Sequence, residues 1–214
     1  MARTRRRPLP SGRLSPAVAL WFGVVQGLLG VPILVFGANA LTGLLGAVAL
    51  LTYVLVYTPM KRRSVHAVLI GAIPGAMPPL LGWTAGAGAI ATGGLLLFAV
   101  IFFWQIPHFL AISLFRRRDY LAAGLKALPN ERGEATTRWA IFAGLVLQVL
   151  ATLALVLLGL GGPTYLVGAS LLGAVMLGWG ARGLVGRRDD VWARRLFGIS
   201  VAYLPALFAI LLAS

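Results

Sequence analysis

The chain has 214 residues, of which 59% are apolar and only 11% charged, with a net charge of +14 and no cysteine. A soluble domain averages about 25% charged residues, so water is excluded as the main solvent. The missing cysteines exclude a disulfide framework, a thiolate metal site and a catalytic thiol.

In chain order, residues 1–15 form a basic segment holding Arg3, Arg5, Arg6, Arg7 and Arg13, in which Pro8 and Pro10 forbid a helix. It reads as the interior of a basic loop. Apolar runs long enough to cross hydrocarbon, roughly 20 residues each, then follow at about 16–37, 39–58, 65–83, 89–115, 139–160, 164–184 and 196–213. The spacing predicts an all-α polytopic membrane bundle of seven spans in one domain, 1–214. Only one connection, 116–138, is long enough to carry a lid or a site.

The second span ends in "TYVLVYTPMKRR", which places Tyr53, Tyr57 and Lys61 at i, i+4 and i+8 on one helix face. A phenol and an ammonium stacked this way suit an anionic oxygen and its developing charge. The same pattern equally describes an interfacial tyrosine belt with a snorkelling lysine. In the third span Pro74, Pro78 and Pro79 are expected to interrupt the helix. Small residues at Gly71/Gly75 and Gly82/Gly86 suit close helix approach rather than chemistry.

The fourth span carries "FFWQIPHFLAISLFRRRDY". Trp104 and His108 share a face, Gln105 lies beside them, and Pro107 is expected to loosen the helix. His108 lies eight residues before Arg116, roughly 12 Å inside the boundary at a rise of 1.5 Å per residue. Polar groups at such depth suggest function by default. They suit either a cavity for a flat aromatic ligand or a histidine hydrogen-bonded to the next helix. Asp119 follows three arginines and, if helix persists, points the same way as His108. A carboxylate among cations is either a solvated ion pair or part of a Mg²⁺–diphosphate site. One Asp cannot hold such a metal. Glu131 and Glu134 lie in a Gly-containing loop, and Asp189 and Asp190 read as ordinary loop charge.

All 19 Lys and Arg fall before the first span, in the connections after the second and fourth, or in and flanking the connection after the sixth, whereas "GAN", "TAGAG" and "GLGGP" carry none. Such an excess marks the cytoplasmic loops, which puts the N-terminus inside and Ser214 outside. The basic balance therefore reflects topology and gives no footprint for nucleic acid. No inverted repeat or buried ion pair suggests a transporter.

Together "YTPMKRR", "GAIPGAMPPLLGW", "FFWQIPHFLAISLFRRRDYLAAG" and "ARRLFGISVAYLPALF" resemble the heme O synthase branch of the UbiA-type intramembrane prenyltransferases along nearly the whole chain. "RTRRRPL" resembles that family's first inner loop. The resemblance implies transfer of farnesyl from farnesyl diphosphate to a vinyl group of protoheme IX, giving heme O, in a nine-helix fold of the bacterial cytoplasmic membrane. It implies Tyr57, Lys61 and Asp119 as catalytic residues, and Arg3, Arg7, Lys61 and Arg62 at the diphosphate. By the same resemblance Trp104, Gln105 and His108 would line the heme side, and Asp119 would supply part of the Mg²⁺ site. Membrane lipid, the two substrates and heme A synthase or terminal-oxidase assembly are the implied partners. In the family an N-x-x-x-D-x-x-x-D motif precedes the Arg-Thr segment. Relative to that pattern two helices and the main metal-binding carboxylates are missing before Met1, as expected of either a mis-called start or a truncated gene, and Ala123 stands where other branches have a second Asp. Weak Mg²⁺–diphosphate binding, and no heme O from purified 1–214, are the corresponding expectations. The other readings are a relative with an aromatic or chlorin acceptor and a non-catalytic heme-binding membrane fragment.

Overall fold

The computed structural model describes residues 4–185 and 190–214, and every regular element among them is helical. Seven helices are long and apolar enough to cross a membrane: α1 (Pro16–Gly37), α2 (Ala40–Met60), α3 (Ala67–Ala87), α4 (Thr92–Phe115), α7 (Gly133–Leu157), α8 (Pro163–Val185) and α9 (Asp190–Ala213). Two short helices, α5 (Arg117–Ala122) and α6 (Leu128–Glu131), lie in the one long connection. The chain is an integral membrane protein. Its described charged residues gather at one end of the bundle, because hydrocarbon cannot solvate them.

Neighbours in sequence are neighbours in space. α1 packs on α2, α2 on α3, α3 on α4, α4 on α7, α7 on α8 and α8 on α9, and α9 folds back onto α4. The best-packed core therefore lies among α4, α7, α8 and α9, around Ile141, Leu145, Leu155, Tyr165, Met176, Leu196, Tyr203 and Leu207. Lipid gives apolar side chains little reason to leave it, so polar bonds and small residues hold membrane helices together. Tyr165 donates to the Thr152 carbonyl at 3.1 Å, and the Thr152 hydroxyl meets the Tyr203 hydroxyl at 3.1 Å. Near the charged end, the indoles of Trp179 and Trp192 each donate to the other's carbonyl, at 3.3 and 2.8 Å. The Arg138 guanidinium donates to the Gly183 carbonyl at 2.8 Å and lies over the Trp192 ring.

At the opposite end Asn39 joins three helices. Its side-chain oxygen caps α2 by accepting from the Thr42 N–H at 2.9 Å, and its amide donates to the Thr84 carbonyl of α3 at 2.7 Å. The Thr42 hydroxyl reaches Thr84 at 2.9 Å. Asn39→Ala removes both the cap and the bond to α3. A loss of about 1–2 kcal/mol is expected, read as a lower thermal midpoint in detergent with the same helix content.

Several local features differ from the sequence expectations. α3 runs unbroken from Ala67 to Ala87 through Pro74, Pro78 and Pro79. Proline is tolerated where neighbouring helices or local adjustment absorb the freed carbonyls. α4 likewise passes through Pro107, whose ring rests against the close face of Gly144. The irregularity lies instead in α2, where Thr52–Tyr57 is π-helical. Gly82 and Gly86 face open space and mediate no close approach. α4 ends at Phe115, and Arg116 leaves helical geometry (φ −110°, ψ 16°), so Asp119 does not continue the His108 face. α7 begins at Gly133, making the end of the 116–138 segment helical.

Candidate active site

A cavity of about 430 Å³ lies at the charged end, between α2, α3, α4 and the α5–α6 connection. That size falls within the range of small-ligand sites. α2 presents Tyr53, Tyr57 and Lys61 to it. The phenol rings stand 5.2 Å apart, and the Lys61 ammonium lies 5.9 Å from the centre of the Tyr57 ring. The π-helical turn supports this ladder: its i→i+5 bonding widens the helix, a distortion that recurs at functional sites. The Thr58 hydroxyl donates to the Tyr53 carbonyl at 2.9 Å within the same turn.

α3 gives the opposite wall, and two glycines make the fit possible. A Cβ on Gly71 would lie 2.6 Å from Cε2 of Tyr57, and one on Gly75 would strike the Gln105 amide oxygen. Gln105 is buried on α4 and donates to the Ala72 carbonyl of α3 at 3.3 Å. The remaining polar lining is Ser113, Tyr120 and Lys126, set among Val65, Val68, Phe109, Leu110, Leu125 and Leu128. The connection is tied to the end of α2 because the Lys126 N–H donates to the Lys61 carbonyl at 3.3 Å.

The cations in this hollow are not equivalent. Lys126 is held by Glu131 at 3.0 Å, whereas Lys61 has no carboxylate partner among the described residues. A half-buried ammonium without a counter-ion, facing phenols in a partly apolar hollow, favours an anionic guest.

The structure brings Tyr57, Lys61 and Gln105 to one cavity and places the other sequence candidates elsewhere. Arg62 is exposed beside Lys61 without lining the hollow, and Arg7 is exposed on the N-terminal segment. Arg3 lies outside the described residues. Asp119 is half-buried in α5, 3.6 Å from Arg116, and does not line the cavity. Trp104 and His108 occupy the α4 face turned to α9. The Trp104 indole donates to the Ser200 carbonyl at 2.8 Å, and His108 Nδ1 lies 2.8 Å from the Ser200 hydroxyl. Their rings stack at 4.7 Å, and Phe197 closes on the imidazole at 4.8 Å. Phe109 connects the two regions, lining the cavity and meeting His108 edge-on at 5.4 Å.

The described residues do not form a divalent-metal site. Among them no three His, Asp or Glu side chains gather to hold an ion. The carboxylates of the connection are each engaged by a cation: Asp119 by Arg116, Glu131 by Lys126, and Glu134 by Arg117 at 3.0 Å. A lone carboxylate supplies too few hard oxygen ligands for Mg²⁺.

Comparison with known proteins gives the geometry its family. Residues 1–204 match the model of the UbiA prenyltransferase family. The chain belongs to that family. Its relatives include proteins named protoheme IX farnesyltransferase from Sorangium cellulosum, 56% identical over 99% of this chain and 76% of the relative, and from Myxococcus xanthus, 51% identical over 99% and 72%. One from Anaeromyxobacter dehalogenans is 49% identical over 100% and 72%. Among solved structures, one described as digeranylgeranylglyceryl phosphate synthase in membranes superposes with a TM-score of 0.79 over 99% of this chain and 76% of that one. At 18% identity that likeness speaks for the UbiA fold alone.

Sequence reasoning missed Lys126, Tyr120 and Ser113. Lys126 and Tyr120 sit in a connection without periodicity, and their place follows from the backbone bond to Lys61. Ser113 was discoverable: it lies eight residues after Gln105 on the same α4 face.

Proposed function

We propose that this UbiA-family chain transfers a farnesyl group from farnesyl diphosphate to a vinyl group of protoheme IX, the reaction named by its relatives. The observation that carries this reading is identity of 49–56% to proteins of that one name, along virtually the whole chain. The cavity supplies matching chemistry. As the allylic C–O bond breaks, negative charge collects on the departing diphosphate oxygen. In this reading Lys61 and Tyr57, which line the cavity, are the donors that bind it, and each such donor lowers a barrier by about 3–4 kcal/mol in comparable oxyanion sites. The prenyl carbon forms its new bond to the vinyl carbon. Water then adds to the resulting cation and releases a proton, leaving a hydroxyethyl group.

The apolar wall around Val68, Phe109 and Leu110 suits the isoprenoid chain, and Trp104 and His108 are the porphyrin-side residues of this reading. The Lys/Arg distribution supports an N-terminus inside and Ser214 outside a bacterial cytoplasmic membrane. Heme A synthase or terminal-oxidase assembly is the proposed consumer of the product.

The test is binding to the purified chain in nanodiscs. Farnesyl thiodiphosphate, which resists ionisation, is expected to bind more tightly than inorganic diphosphate, and hemin is expected to bind in the same preparation. Uptake of a chlorin or a small aromatic acid in place of hemin would instead favour a relative with another acceptor. The missing metal-ligand cluster among the described residues favours one further reading, a heme-binding membrane protein without turnover. Hemin binding with no affinity for the thiodiphosphate would select it.

A further inference from the structure

His108 and Ser200 make a hydrogen-bond pair whose proton order is decided by a third group. The Ser200 hydroxyl lies 2.7 Å from the Phe197 carbonyl and 2.8 Å from His108 Nδ1. A serine hydroxyl has one hydrogen and two lone pairs, and a carbonyl only accepts. The hydrogen therefore goes to Phe197, since two oxygens 2.7 Å apart with no proton between them repel. The serine oxygen must then accept at the other contact, and His108 carries its proton on Nδ1. Nε2 keeps its lone pair. Among the described residues Nε2 has no hydrogen-bond partner, and it is not one of the sealed, unpartnered polar atoms.

The ring plane is fixed as firmly as the tautomer. Trp104 stacks on the imidazole at 4.7 Å and Phe197 closes at 4.8 Å. The Trp104 indole is itself anchored on the carbonyl of the same Ser200. A ring held in place, with one nitrogen donating to a fixed acceptor and the other bare, is how proteins prepare a histidine to ligate a metal.

We propose that Ser200 is a positioning residue: by accepting the Nδ1 proton of His108 it presents the Nε2 lone pair as an axial ligand for the iron of a metalloporphyrin. This rests on the reading that the Trp104–His108 face receives protoheme IX.

Two measurements test it on the whole chain. The sequence has only two histidines, so ring-¹⁵N NMR of labelled protein, with the second signal assigned by His66→Gln, reads the His108 tautomer directly without heme. The Nδ1–H form is expected in the unchanged chain and in Ser200→Thr, and loss of that preference in Ser200→Ala. A dominant Nε2–H form in the unchanged chain overturns the proposal. Hemin titration followed by the Soret band gives the second readout. His108→Ala is expected to lose the imidazole-ligated spectrum. Ser200→Ala is expected to bind hemin 10- to 100-fold more weakly, the usual effect of removing such a supporting bond, and Ser200→Thr to restore binding. Trp104 donates to the Ser200 backbone, so unchanged helical circular dichroism is expected throughout. Hemin binding that depends on His108 but not on Ser200 overturns the proposal and leaves the heme reading standing. No hemin binding by the unchanged chain overturns both.

Discussion

Replacing Lys61 by alanine is expected to weaken binding of farnesyl thiodiphosphate by about 10- to 100-fold, measured by titration of the purified chain in nanodiscs. Hydrogen bonds to charged groups contribute about 1.5–3 kcal/mol each, and 1.4 kcal/mol is a factor of ten in affinity. Lys61 should show the full effect because it faces the cavity and has no carboxylate partner among the described residues to share its charge. Lys126 lines the same hollow already bound to Glu131 at 3.0 Å, so its replacement should cost less. Arg62 is the sharper control. It carries the same charge one residue further on but is exposed and does not line the cavity. Arg62→Ala is expected to change affinity by less than about threefold, since a solvent-exposed charge that makes no contact in the hollow is weakened by water and salt. Equal losses at Lys61 and Arg62 would mean that the basic end attracts anions without a defined site.

Gly71→Ala is expected to cost about 1–3 kcal/mol of stability through overpacking and to abolish most thiodiphosphate binding well below the melting temperature. The added methyl would sit 2.6 and 2.7 Å from two carbons of the Tyr57 ring. A phenol ring cannot yield as a flexible chain end does, so either Tyr57 tilts out of the cavity or α2 and α3 separate. Both movements displace the hydroxyl from the hollow. Gly82→Ala is the comparison within the same helix. Nothing lies within 4 Å of its added methyl, and alanine favours helix over glycine by roughly 0.5–1 kcal/mol. Gly82→Ala should therefore be neutral or slightly stabilising, with binding unchanged. The two thermal midpoints and the two affinities, measured side by side, check the contrast.

That contrast also shows how much was legible in the sequence. Gly71/Gly75 and Gly82/Gly86 carry the same spacing, yet only the first pair meets a neighbouring helix closely. Spacing states that a face is narrow, and tertiary structure decides what stands opposite. The seven spans were legible because hydrocarbon imposes length and apolarity on every crossing segment. The Tyr53–Tyr57–Lys61 ladder was legible because i, i+4 neighbours share a face in any helix. The π-helical turn beneath it was not, since TYVLVY has the composition of an ordinary apolar helix. Residues 104–108 read as one cluster, and in the structure they divide between two neighbours. Gln105 turns to α3, while Trp104 and His108 turn to α9. The alignment of Asp119 with His108 depended on helix continuing past Phe115, and the break in helical geometry at Arg116 removed that premise. Lys126 had no local signal, because a connection takes its shape from whatever it is tied to, here the carbonyl of Lys61.

The most direct test of the diphosphate cavity is photoaffinity labelling. A farnesyl diphosphate analogue with a photoreactive isoprenoid end is bound to the chain, cross-linked and mapped by mass spectrometry. Labelling is expected in the peptides that hold Val68, Phe109 and Leu110, lost on competition with farnesyl thiodiphosphate and lost in Lys61→Ala. Competable labelling confined to α8 and the far face of α9, untouched by Lys61→Ala, would contradict the assignment of this cavity to the prenyl donor.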